Sequence, residues 1–168
     1  RGQFFRSYLL GWLFWAGIGV GCLGLAMLNH LTGGLWGLVP RRFHEAAART
    51  LPLMGLLFIP VLLGVTSLYA WARPETVAAD ALLQQKAAYL NVPFFVVRAA
   101  LYVAVWSLLA WLVSSWSRRQ DDAPEPARAG RLRGLSAVGL VLLSLTTTFA
   151  SIDWGMSLAP HWFSTIYG

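Results

Sequence analysis

The run YLLGWLFWAGIGVGCLGLAML, residues 8–28, decides the fold. It contains no charged side chain, and its apolar residues neither alternate nor repeat as a single half-buried face. At ~1.5 Å per residue a helix of this length is roughly 31 Å long, the thickness of the hydrocarbon core of a bilayer. The run also holds GVGCLG, residues 19–24, which satisfies the glycine pattern of dinucleotide-binding loops. No strand pattern precedes it and its surroundings are uniformly apolar, so these glycines are read as packing residues. Gly17, Gly21 and Gly24 share one helix face, and Gly17 with Gly21 forms a small-xxx-small pair expected to admit a neighbouring helix. Cys22, the single cysteine, is read as a packing residue and has no partner for an internal disulfide.

Three more apolar runs follow, at about residues 52–71, 92–116 and 135–152. The sequence therefore predicts an all-α integral membrane protein. Its single membrane domain spans residues 1–168, with four transmembrane helices (about 8–28, 52–71, 92–116 and 135–152) in a helical bundle and short interfacial helices in the loops. Composition agrees: 12% of residues are charged, against about 25% in a soluble domain. Most of the nine tryptophans flank the apolar runs, which predicts an aromatic belt at the membrane surfaces. The chain opens on Arg1 and stops at Gly168 without a polar tail, and the expectation is a piece of a longer polytopic protein.

The net charge of +6 could suggest nucleic acid, but the positive residues sit in loops between spans and form no basic stripe interleaved with stacking aromatics. Four spans place Arg1, Arg6, Arg73, Lys86 and Arg98 on one side. The eight arginines of the first and third loops lie on the other, and that excess predicts that the second side is cytoplasmic. In the first loop, Gly33-Gly34 should end the first helix. Pro40 should start a short helix along the membrane surface, with Arg41/Glu45 and Glu45/Arg49 as ion pairs one turn apart. Pro60 should kink the second span. A short interfacial helix is expected within residues 72–91. Residues 117–134, SRRQDDAPEPARAGRLRG, read as a flexible polar linker.

The chemistry collects at the end of the chain, in SIDWGMSLAPHWFSTIYG, residues 151–168. Arg98 and Asp153 should lie at the same membrane surface, near the ends of the third and fourth spans. A lone arginine inside a span costs about 2.5–3.5 kcal/mol, which snorkelling or a partner would relieve. Asp153 is one candidate partner, and a polar network with residues 146–148 is another. His161, beside Trp162, is either an interfacial anchor or a proton-handling or quinone-facing edge. Asp153, His161 and Ser157 or Ser164 lack the nucleophile elbow and oxyanion loop of a hydrolase. His30 and His44 lie on the opposite side from His161. No two histidines are matched inside spans as ligands for a b-type haem, and no set of ligands suggests zinc.

Three stretches, SIDWGMSLAPHWFSTIYG, KAAYLNVPFFVVRAALY (residues 86–102) and LTGGLWGLVPRRFHEA (residues 31–46), together resemble the F-type membrane component of alternative complex III, an NrfD-like protein. The resemblance covers most of the chain in the same order. It implies an NrfD-like helical bundle continued by further spans, in the bacterial cytoplasmic membrane. It also implies a respiratory quinol:electron acceptor oxidoreductase whose partner subunits are a larger NrfD-like quinol subunit, an iron–sulfur protein and c-type cytochromes. Haem c and iron–sulfur clusters would belong to those partners. This chain would hold no redox centre, with quinol as a candidate ligand and Arg98, Asp153 and His161 as candidates for a proton or quinone edge. Ala159 stands where the family motif would carry Glu. Two other readings are a transporter fragment, favoured by Pro60 and the glycine-rich first span, and a quinone-binding anchor of another NrfD-type oxidoreductase.

Overall fold

The computed structural model describes residues 2–37 and 39–162. No strand occurs among them. Helix α1 (Gly2–Thr32) leads through a 3-10 turn at Leu35–Gly37 to α2 (Arg41–Ala48), α3 (Leu51–Leu56), α4 (Ile59–Leu63) and α5 (Val65–Leu68). A 3-10 turn at Ala70–Ala72 and two short helices, α6 (Pro74–Ala79) and α7 (Ala81–Lys86), connect these to α8 (Val92–Asp122) and α9 (Pro126–Trp154). Four stretches are long and apolar enough to cross a membrane: Gly2–Thr32, Arg41–Leu63, Val92–Asp122 and Pro126–Leu158. The chain is thus an all-α membrane bundle. Its outward faces keep large apolar side chains exposed, such as Leu10, Leu63 and Val138, as lipid contact requires.

The helices do not stop where the apolar runs stop. Residues 117–134, expected as a flexible linker, are helical except for Ala123, Pro124 and Glu125. Pro126 occupies the first turn of α9, where its missing N–H costs nothing. Arg128 Nη1 donates to the carbonyls of Arg119 and Ala123, both at 2.7 Å, and so closes the turn. Helix α2 also departs from expectation. It packs against α1 and α8 and opens the second candidate span instead of lying alone on the surface. Its acid is neutralised from within the bundle: Glu45 is buried, near His30 of α1, and is bonded by Arg42.

The second span is broken three times, at Arg49–Thr50, Leu57–Phe58 and Gly64, although the backbone stays near helical dihedrals. Two of the breaks sit just ahead of Pro52 and Pro60, which lack the N–H that an α-helix needs and crowd the preceding turn. Only the second of these was expected. The N–H of Phe58 turns to Gly55 O and that of Val61 to Phe58 O, leaving the carbonyls of Met54 and Leu57 without their usual donors. Helix α1 supplies replacements: Trp12 Nε1 donates to Met54 O at 2.8 Å and Tyr8 Oη to Leu57 O at 2.7 Å. In a membrane core such freed carbonyls must be satisfied by neighbours, and here two aromatic side chains do so.

The glycines of α1 pack differently from expectation. A Cβ on Gly17 or Gly21 would meet nothing within 4 Å, so no described helix of this chain presses against that pair. The close contacts are at Gly19, where a Cβ would lie 3.0 Å from Leu51 Cδ2, and at Gly24, 3.4 Å from Leu143 Cδ2. Gly17 and Gly21 line instead a cleft of about 340 Å³ beside Trp12, Trp106, Thr147 and Trp154.

Candidate functional site

Helix α8 begins sharply. Asn91 Oδ1 accepts from the N–H of Phe94 at 3.0 Å, and Pro93 sits in the first turn. This places Arg98 and Tyr102, one turn apart, on the same face close to the end of the bundle. Asp153 lies in the last turn of α9 and is fully buried, while Arg98 is 7% exposed. The two form a two-pronged pair: Arg98 Nε donates to Asp153 Oδ2 at 2.7 Å and Nη2 to Oδ1 at 2.9 Å. Tyr102 Oη adds a third donor to Oδ2 at 2.8 Å. The remaining guanidinium nitrogen, Nη1, donates to Tyr89 O at 3.1 Å, and the guanidinium carbon lies over the rings of Tyr89 and Phe94, at 3.9 and 4.2 Å. Both charges are thus paired and hydrogen-bonded, the condition under which ions survive in a dry site.

The same turn is tied down from other directions. Ser157 Oγ donates to the Asp153 carbonyl, and Tyr69 Oη to the Trp154 carbonyl at 3.1 Å, which satisfies orphan groups at the end of α9. Trp154 is buried at the centre of an aromatic cluster. Its ring centroid lies 4.9 Å from Trp12, 5.0 Å from Phe58, 5.7 Å from Trp106 and 5.8 Å from Tyr102. The expectation of a tryptophan belt is therefore corrected in part. Trp12, Trp71, Trp106 and Trp154 are core residues, whereas Trp15, Trp36, Trp111 and Trp162 are exposed. The buried indole N–H groups of Trp12 and Trp106 each have an acceptor, Met54 O for the first and Thr146 Oγ1, at 2.8 Å, for the second. Residues 146–148 consequently do not reach Arg98 through any bond of Thr146, which serves Trp106.

His161 is exposed and apart from the buried pair. Its Nε2 lies 2.7 Å from Asp80 Oδ2. Asp80 is the N-cap of α7 and accepts from the amides of Leu82 and Leu83 at 2.9 and 3.4 Å. Partial burial pushes the Asp80 carboxyl up, but the Leu82 amide, the His161 ring and the Leu83 amide outweigh it, and the pKa is lowered. Lys86 Nζ donates to Pro160 O at 2.7 Å, a second link between this connection and the terminal motif. Burial, assisted by the Asp153 charge, raises the Tyr89 phenol to about 12, so it stays protonated. Asp153, His161 and Ser157 do not converge as a hydrolytic triad, and Ser164 lies outside the described residues.

The opposite end of the bundle carries a polar cluster that sequence reading divided among separate loops. Arg42 Nη1 donates to Glu45 Oε2 at 2.6 Å, three residues on and not at the predicted four-residue spacing. Arg41 Nη2 reaches both oxygens of Asp121, at 2.8 and 2.7 Å, and Arg42 Nη2 also bonds Asp121. His30 Nε2 stands 3.6 Å from Glu45 Oε1, too far for a hydrogen bond. An arginine pair followed by acid in both 41–45 and 118–122 is the only sequence signal, and nothing in one dimension says that the two segments meet. Among the described residues, no group of three His, Cys, Asp or Glu side chains could hold a metal ion.

Fold and site together define a multi-pass, all-α membrane protein whose terminal motif is anchored by a buried ion pair. No known protein family matches the chain, and no curated protein matches it.

Proposed function

We propose that this chain is an NrfD-like membrane subunit of a quinol:electron acceptor oxidoreductase of the alternative complex III type, in the bacterial cytoplasmic membrane. It would scaffold the complex, offer candidate proton-handling groups and carry no redox centre of its own. Its partners would be a larger NrfD-like quinol subunit, an iron–sulfur protein and c-type cytochromes, which hold the clusters and the haem. The arginine-rich end would face the cytoplasm and the terminal motif the periplasm.

The observation that carries this reading is the cluster of Arg98, Asp153 and Tyr102, all buried. It ties together two of the stretches on which the resemblance rests, residues 86–102 and the terminal motif. Three donors occupy the Asp153 carboxylate and leave little room for a mobile proton, which favours a clamp over a relay. His161, exposed on the same side, is the better candidate for a proton or quinone edge.

The broken second span favours a second reading, a transporter, because discontinuous helices build substrate sites in such proteins. Its freed carbonyls at Met54 and Leu57, however, are taken by Trp12 and Tyr8 and do not coordinate a cargo. Affinity purification of the full-length protein from its native membrane separates the two readings. Co-purifying c-type haem, an iron–sulfur protein and quinol oxidation are expected. Purification as a lone haem-free chain would overturn the assignment in favour of the transporter. Within an active complex, His161→Ala should lower turnover with assembly intact, and unchanged turnover would remove His161 from the mechanism.

A further inference from the structure

We propose that the cleft between the arginine-rich ends of α8 and α9 binds the phosphate headgroup of an anionic phospholipid, whose acyl chains run down the outer face of the helix pair. The cleft has a volume of about 270 Å³ and is lined by Trp116, Arg119, Arg128 and Arg131. Its charge is unbalanced. Arg128 is committed to the turn, through the carbonyls of Arg119 and Ala123 and through Glu125 at 3.2 Å. Glu125 is thereby matched. Asp121 is taken by Arg41 and Arg42, and Asp122 lines a different cavity with Arg42, Arg49 and Arg118. Among the described residues no acid forms an ion pair with Arg119 or Arg131, so two guanidiniums line the cleft without a paired counter-charge.

A soluble anion would need only those charges, but the surroundings also fit a lipid. Trp116 lies one turn deeper than Arg119, where an indole suits the headgroup level. Below Arg131, at helical spacing on the same side of α9, come Val138, Leu142 and Leu145, all exposed. On α8 the exposed Leu108 continues the line from Arg119 and Trp116. The result is a cationic cradle above an apolar strip, which matches an amphiphile with a phosphate head. Basic pockets between membrane helices recognise anionic headgroups through this combination of charge and depth.

The test is lipid binding to the delipidated, full-length protein by native mass spectrometry. Phosphatidylglycerol and phosphatidylcholine of matched chains are the probes, with inorganic phosphate as a third. Phosphatidylglycerol is expected to bind in preference to phosphatidylcholine. The double variant R119Q/R131Q should weaken that binding on the order of thirtyfold, from two charges near the surface. R119K/R131K should keep most of it, and Arg133→Gln, outside the cleft, should change little. Melting temperatures in zwitterionic micelles show that each variant is folded. Equal retention of phosphatidylglycerol by R119Q/R131Q and the parent protein would overturn the proposal, as would equal binding of phosphatidylcholine. Full competition by inorganic phosphate would overturn it too, in favour of a soluble-anion site.

Discussion

The two ends of the bundle hold ion pairs of the same chemistry in different surroundings. At one end Asp153 is fully buried and Arg98 nearly so, and every oxygen of the carboxylate has a donor. At the other end Asp121 is shared by two arginines, and its side chain is 36% exposed. Burial decides the energetics. A dry pair costs a great deal to assemble and still more to break one-sidedly, whereas a wet pair is screened and largely replaceable by water. The Arg98–Asp153 pair is therefore a clamp and the Asp121 contacts an adaptable surface, although both are Arg–Asp contacts.

The comparison breaks most easily at the clamp. Arg98→Leu or Asp153→Asn should each destabilise the protein by about 3–5 kcal/mol, because either leaves a buried charge without its partner. The double variant should lose clearly less than the sum, measured by thermal unfolding in detergent or by assembly into the complex. Small additive losses would mean that water reaches the pair. At the other end Asp121→Asn should cost under about 1 kcal/mol in the same assay. A loss as large as that at Asp153 would erase the distinction between the two ends.

The smallest effect concerns the contact of His161 with Asp80. Asp80 has a lowered pKa in the folded protein, so its contribution is complete above the ordinary carboxylate value of about 3.9 and is lost as pH falls through the folded value. Hydrogen-exchange protection in α7, corrected for the intrinsic pH dependence of amide exchange, should therefore stay constant from pH 7 to about pH 5 and fall only below about pH 4. Release of α7 at about pH 6 instead would place the control on another group. Asp80→Asn should loosen the terminal motif at neutral pH while keeping most of the helix cap, since Asn also caps well.

The membrane class was legible because it depends on one-dimensional quantities, the length and apolarity of runs such as residues 8–28. The meeting of Arg98 with Asp153 was also legible as one alternative, because both had to lie at matching depth in a dry layer that tolerates few unpaired charges. The charge cluster at the arginine-rich end was not, because Glu45 and Asp121 are far apart in sequence, Glu45 had local partners in prospect and Asp121 lay in a stretch that reads as a flexible linker. Residues 117–134 misled for a related reason. Their polarity reads as disorder in isolation, yet Arg128 caps the turn and α8 and α9 extend past the apolar layer with each other for support.

By itself, then, the sequence determined that the chain is a helical membrane protein with four long apolar stretches, and which residue types gather after the last of them; it set the second stretch at 52–71, where the structure has Arg41–Leu63. Hydropathy and the length of the apolar runs set these without reference to any contact. Only the tertiary structure decided which tryptophans become core, which donors take the Met54 and Leu57 carbonyls freed at the break ahead of Pro60, and that His161 turns to Asp80 while Asp153 turns inward to Arg98. Those outcomes depend on which helix faces meet, and periodicity in a uniformly apolar helix carries no mark of which face that will be.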